Sequence, residues 1–192
     1  MDGHFLRGKG IGLVLVLLLG ARCAAAEPLP PPLELEWGGS PTRLIALADR
    51  FGMDKVVRTP GKQPRMTIVE VGPEEGTLPG HHASAVEARY IGGRLYEVTV
   101  HYTYPGRAAD FVKGQFVDLK KGLTARHGAF QFNGEKKSTG KGIVTNSQSY
   151  HINFAEGRTL MLALTETKDV KRGDSSATFS VVYHNASILK PR

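Results

Sequence analysis

Of the 192 residues only one is cysteine, Cys23, and it lies in the first 26 residues, so a chain cleaved after Ala26 has none. Such a chain forms no disulfide, no thiolate nucleophile and no cysteine metal site. Charge of one sign is also scarce. Setting aside Arg7, Lys9 and Arg22 with Asp2 leaves 22 basic and 17 acidic residues, a net of about +5 spread along the chain rather than blocked. That balance favours contact with anionic surfaces such as phospholipid or other envelope polymers, or a solvated basic surface. Basic residues interleaved with exposed aromatics, as nucleic-acid binding requires, are missing. No apolar run approaches the ~20 residues needed to cross a bilayer as a helix.

The first 26 residues read as a secretory signal. Arg7 and Lys9 form a basic start, Ile11 to Leu19 an apolar middle, and Ala24-Ala25-Ala26 a small-residue cleavage site. An exported chain, periplasmic or secreted and without a transmembrane segment after signal removal, is the expectation. Pro28 to Pro32 is proline-rich, so residues 27–36 are expected to be a tether, with Leu33 to Trp37 a short edge strand. One α+β domain then fills 37–190, with halves at 37–104 and 105–190.

Hydrophobic spacing supplies the elements. Ser40 to Gly52 carries Leu44, Ile45, Leu47, Ala48 and Phe51 at helical spacing, with Pro41 at the first position and glycine at the end. Ala108 to His127 predicts a second helix with Val112, Phe116, Leu119 and Leu123 on one stripe. Ala83 to Tyr104 predicts a hairpin turning at Gly92-Gly93, with Tyr96, Val98, Val100, Tyr102 and Tyr104 on the buried side. Glu97, Thr99, His101 and Thr103 take the other side. Met66 to Val71 and Ala129 to Asn133 are candidate strands, and 134–142 a flexible basic loop. Ser149–Ala155, Arg158–Glu166 and Ala177–His184 alternate as an antiparallel meander. The fold class predicted is α+β: one antiparallel sheet of about six strands, in an order that permits two αβββ halves, with both helices on one face and the other face solvated.

Catalytic and cofactor motifs are missing. In 134–142 five residues separate Gly134 from Gly140, one more than a phosphate loop has, and Gly142 stands where Ser or Thr should meet magnesium. His81-His82 has no third ligand at metal-site spacing. No Gly-x-Ser-x-Gly elbow occurs, and no serine or carboxylate pair is singled out. His101, His151 and His184 fall on polar sides of their strands and would form a titrating patch if the strands were neighbours. Asn185-Ala186-Ser187 matches the glycosylation pattern, a frequent chance match.

Trp37-Gly38-Gly39-Ser40-Pro41, with Leu44 and the Phe51-Gly52 end, resembles the opening of many small exported bacterial proteins, as does Gly93-Arg94-Leu95-Tyr96 opening a strand. The order of elements resembles the small α+β envelope domains that include β-lactamase-inhibitor-like and outer-membrane-assembly-lipoprotein folds. That resemblance implies a domain that binds other proteins without catalysis, and it carries no assigned residues. Arg22 before Cys23 departs from the lipid-anchored members, which need a small residue there.

The expectation is therefore a non-catalytic domain without cofactor, binding another envelope protein or an anionic surface, with a small-ligand or lipid carrier as the alternative and a hydrolase behind it. Two contact regions are expected. One is the wet sheet face, with Glu97, Thr99, His101, His151 and Asn153; the other is the basic loop, with Lys136, Lys137 and Lys141.

Overall fold

The computed structural model describes residues 29–190. The expected signal, Cys23 and the first two tether residues lie outside the described residues. The elements run α1 (Thr42–Arg50), β1 (Asp54–Arg58), β2 (Met66–Gly72), β3 (Ala85–Ile91), β4 (Arg94–Tyr102), α2 (Ala109–His127), β5 (Gln131–Gly140), β6 (Ile143–Asn153), β7 (Arg158–Asp169) and β8 (Ser175–Asn185). All pairings are antiparallel, in one eight-stranded sheet ordered β1-β2-β3-β4-β8-β7-β6-β5. The α+β class holds, with eight strands where about six were expected. A helix and four strands occur twice, and the last strand of each set, β4 and β8, join at the centre of the sheet.

One strand, β1, and the far part of another, β5, were hidden by composition. Asp54–Arg58 is exposed at every position, so it has no buried side for a pattern to reveal. Residues 134–140, expected as loop, continue β5 as an edge strand. The tip at Lys141 (φ 51°) and Gly142 (φ 80°) is a two-residue turn with both φ positive, and its twist matches the flanking strands. The same turn at Gly92 and Gly93 closes β3 on β4.

The core lies on one side of the sheet. Leu44 and Ala48 of α1 and Val112, Phe116 and Leu123 of α2 join Val69, Val71, Val86, Val98, Val100, Leu160, Leu162, Phe179 and Val181 in one buried cluster. α1 sits on β1 and β2, whereas α2 sits on β7 and β8. The end of α1 closes as expected near Gly52: the Met53 N–H donates to the Ala48 carbonyl at 2.9 Å and the Gly52 N–H to that of Asp49 at 3.3 Å. At the centre Tyr102 stacks on Phe179 at 4.6 Å and 16°, a geometry worth about 0.5–1.5 kcal/mol beyond burial.

Residues 29–36 do not behave as a free tether. Leu29 and Leu35 are in the core, and the Trp37 indole N–H donates to the Leu29 carbonyl at 2.8 Å. The short edge strand expected over Leu33 to Trp37 is instead a pair of turns, with Leu33 and Glu34 both at positive φ. Proline stiffness lowers the entropy cost of seating this stretch, and its leucines supply apolar area.

One register detail changes the face of a residue. β4 faces β3 with Leu95 opposite Tyr90 and Glu97 opposite Arg89, so Tyr96 is an extra residue, a bulge. Beside it, the Gly38 N–H donates to the Leu95 carbonyl and the Leu95 N–H to that of Gly39, each at 2.9 Å. The Trp-Gly-Gly turn thus captures the polar groups of Leu95. Leu95 points into the core, and Tyr96, expected inside with Val98, turns to the opposite face.

Candidate interaction face of the sheet

The face of the sheet away from the helices has two parts. Over β1 to β4 it carries a chain of ion pairs. Arg58 Nη2 meets Glu87 Oε2 at 2.6 Å, and Arg89 Nε donates to Glu87 Oε1 at 2.8 Å. Arg89 Nη1 lies 3.1 Å from Glu97 Oε1, and His184 Nδ1 2.9 Å from Glu97 Oε2. Arg58 also lies 3.6 Å from Glu70. The register makes this chain, since Arg89 faces Glu97 and Glu97 faces His184 across adjacent strands. The side chains of Glu87 and Glu97 are only 11% and 17% exposed, so their partners are what make the charges tolerable there. Burial works against the Arg89 charge, but the Glu87 hydrogen bond and the Glu97 charge hold its pKa above the ordinary value. Tyr96 closes the row, its ring edge-on to His184 at 5.9 Å and its hydroxyl 3.9 Å from Met66 Sδ. Burial first, and Glu97 second, raise the pKa of the Tyr96 phenol.

Over β6, β7 and β8 the same face carries no Asp, Glu, Lys or Arg at its outward positions within 143–153, 159–167 and 176–182. Its centre is Met161, Ala163, Ser180 and Val182, all half-buried. They are mutual neighbours: Met161 faces Val182, and Ala163 faces Ser180. Hydroxyls surround them, with Ser147 and Thr165 hydrogen-bonded at 3.0 Å.

Glu97, Thr99, His101, His151 and Asn153 do share this face, as alternation predicts. They are not one open patch. Thr99 is 9% exposed, and Glu97 is spent on Arg89 and His184. His101 stands four residues along β4 from Glu97, roughly 13 Å at strand spacing. It lines a cleft of about 690 Å³ with Glu70, Glu74 and Glu75. Burial lowers its pKa, with Glu87 and Glu70 opposing. His151 faces Met161 one strand beyond β8's neighbour, and its Nδ1 is buried with no hydrogen-bond partner among the described residues. His101, His151 and His184 therefore share a face without converging. Among the described residues no three His, Cys, Asp or Glu side chains are placed to hold a metal ion.

The basic residues are dispersed. Lys136 faces Ser147 and Lys137 faces Asn146, so alternation sends them to opposite faces, and Lys141 is at the hairpin tip. They do not make a common patch; on edge strand β5 they discourage unwanted strand pairing.

Sequence reasoning missed Arg58, Glu70, Glu87, Arg89 and Tyr96 as members of the face, and Met161, Ala163 and Val182 as its centre. The alternation Glu87-Ala88-Arg89 was a legible signal. The position of Tyr96 was not, because it depends on a turn more than fifty residues upstream. No helix among the described residues is long and apolar enough to cross a membrane. No protein-family model matches this chain, and neither a curated protein nor a solved structure does.

Proposed function

We propose that this chain is an exported, non-catalytic α+β domain that binds another envelope protein through the uncovered face of its sheet. The observation that carries the reading is the charge-free centre on β6–β8. On a chain with 22% charged residues, three adjacent strands direct no Asp, Glu, Lys or Arg outward over those stretches. Beside it lies the ion-paired margin of β1–β4. A neutral centre depleted of charge beside a polar rim is the composition of a protein-recognition patch. The ion pairs hold the margin rigid, which reduces the ordering cost of binding.

Dispersal of Lys136, Lys137 and Lys141 weighs against an anionic surface as the main partner, because separated charges do not focus a field. The signal-like start supports export, and the resemblance to envelope domains agrees with a binding role. The test is charge insertion. Ala163→Arg and Val182→Lys are expected to abolish co-purification of the partner from envelope extracts while leaving the melting temperature within a few degrees. Retained co-purification by both variants would remove the reading.

A further inference from the structure

Beside the β3–β4 turn, a second cleft of about 570 Å³ gathers three cations from distant parts of the chain. Arg65 precedes β2, Arg94 opens β4, and Lys190 follows the short turn over 186–189 after β8. Ile91, Ile188 and Leu189 supply its apolar lining, and Gly92 of the turn completes it. Hydrogen bonds fix the arrangement. The Gly92 N–H donates to the Arg65 carbonyl at 2.8 Å, and a Cβ at Gly92 would stand 3.7 Å from Arg65 Nη2. Arg94 Nη2 donates to the Ile188 carbonyl. Two guanidinium groups are thus seated at one turn, each by its own partner.

Charge of a single sign narrows the occupant. No Asp or Glu lines the cleft. Arg65, Arg94 and Lys190 take part in no ion pair with another described residue. That sets them apart from Arg43, Arg58, Arg89, Arg158 and Arg172, each of which meets a carboxylate. A concave site lined by one sign of charge focuses its field on what enters. A cation is repelled, and a metal ion finds no carboxylate, imidazole or thiolate ligand. Holding the Ile188 carbonyl uses one donor of Arg94 and leaves the rest of its fork, and it accounts for neither Arg65 nor Lys190. A lone carboxylate matches one of the three charges. A phosphate monoester carries about −1.5 to −2 at neutral pH and offers three strong acceptor oxygens, enough for two forks and an ammonium.

We infer that this cleft binds a phosphate group, with the guanidinium forks of Arg65 and Arg94 on its oxygens and the Lys190 ammonium as a further counter-charge. None of Met161, Ala163, Ser180 and Val182 lines it, so it stands or falls separately from the protein-binding reading.

The test titrates the folded chain with inorganic phosphate and with acetate at constant ionic strength, followed by NMR shifts of the Gly92 amide and the arginine side chains. Phosphate is expected to saturate at a concentration at least roughly tenfold lower than acetate. Arg65→Gln, at an exposed position, is expected to weaken phosphate roughly three- to tenfold with the melting temperature unchanged. Arg65→Lys keeps the charge without the fork and is expected to recover only part of that loss. Lys121→Gln removes the same charge from α2, away from the lining, and is expected to change nothing. Vesicles separate the sources. Co-sedimentation with phosphatidic acid but not with phosphatidylglycerol, whose phosphate is a diester, assigns a lipid phosphomonoester. Phosphate binding without co-sedimentation assigns a free phosphate. Failure to saturate with phosphate, or equal affinity for acetate, would overturn the proposal. So would full recovery in Arg65→Lys, an equal loss in Lys121→Gln, or equal sedimentation with both lipids.

Discussion

Tyr96 follows Leu95 in a strand whose plain alternation would put it beside Val98 in the core, yet it lies with Glu97 and His184 on the far face. The cause is local. Gly38 and Gly39 hydrogen-bond to Leu95, and the chain accommodates the extra residue as a bulge. A Cβ at Gly39 would stand 2.9 Å from the Glu36 carbonyl oxygen, closer than real Cβ atoms approach. Gly39→Ala is therefore expected to destabilise the fold by about 1–3 kcal/mol and to change the tyrosine near-ultraviolet signal. Calorimetry and circular dichroism check both, and an unchanged melting temperature would show that the turn does not hold the bulge. His101 supplies a pH prediction. Its folded pKa is depressed by burial, so the unfolded chain takes up a proton that the native state resists. Stability contributed by neutral His101 is complete above the ordinary histidine range and falls as pH drops through it toward the folded value. His101→Gln is expected to reduce this loss, measured as urea midpoints at a series of pH values. Parallel midpoints for the two proteins would contradict it.

Elements with a buried side were legible, and elements without one were not. α1, α2, the β3–β4 hairpin and the inward sets of β6, β7 and β8 follow from Leu44, Val112, Tyr102, Tyr150, Leu160 and Phe179, whose spacing records which side is covered. β1 and the far part of β5 are edge strands, exposed along nearly their whole length. Only pairing to β2 and β6 makes them strands, and pairing is not written in hydrophobic period. The wet face was legible as a set of positions, through Glu97, His101 and His151, but not as a network, because the Arg58–Glu87–Arg89–Glu97–His184 chain requires strand order. That chain is testable. Arg89→Met leaves Glu87 and Glu97 without their shared cation and is expected to destabilise by about 1–3 kcal/mol, less than for a deeply buried pair because Arg89 is partly exposed. The double variant with Glu87→Gln is expected to lose less than the two single losses combined; strict additivity in a denaturant cycle would deny coupling. On α2, a Cβ added at Gly114 would enter open space, with no neighbouring atom within 4 Å. Gly114→Ala is expected to stabilise by about 0.5–1 kcal/mol in the same measurement.

At the scale of the whole molecule, two helices cover one side of an eight-stranded sheet and the other side has no layer upon it among the described residues. Helix burial explains the inner residues, and the ion-pair chain explains the outer residues of β1 to β4. Neither explains why Met161, Ala163, Ser180 and Val182 form a charge-free centre. The proposed binding to a protein would, because a patch that must shed water is costly to build from charges. The direct measurement is photo-cross-linking in the native envelope. It uses a reactive residue at Ala163 on the open face and a control at Val117, which is 60% exposed on α2. The account expects a discrete heavier adduct from position 163 and none from 117. Monomer alone from 163, or the same adducts from both positions, would contradict it.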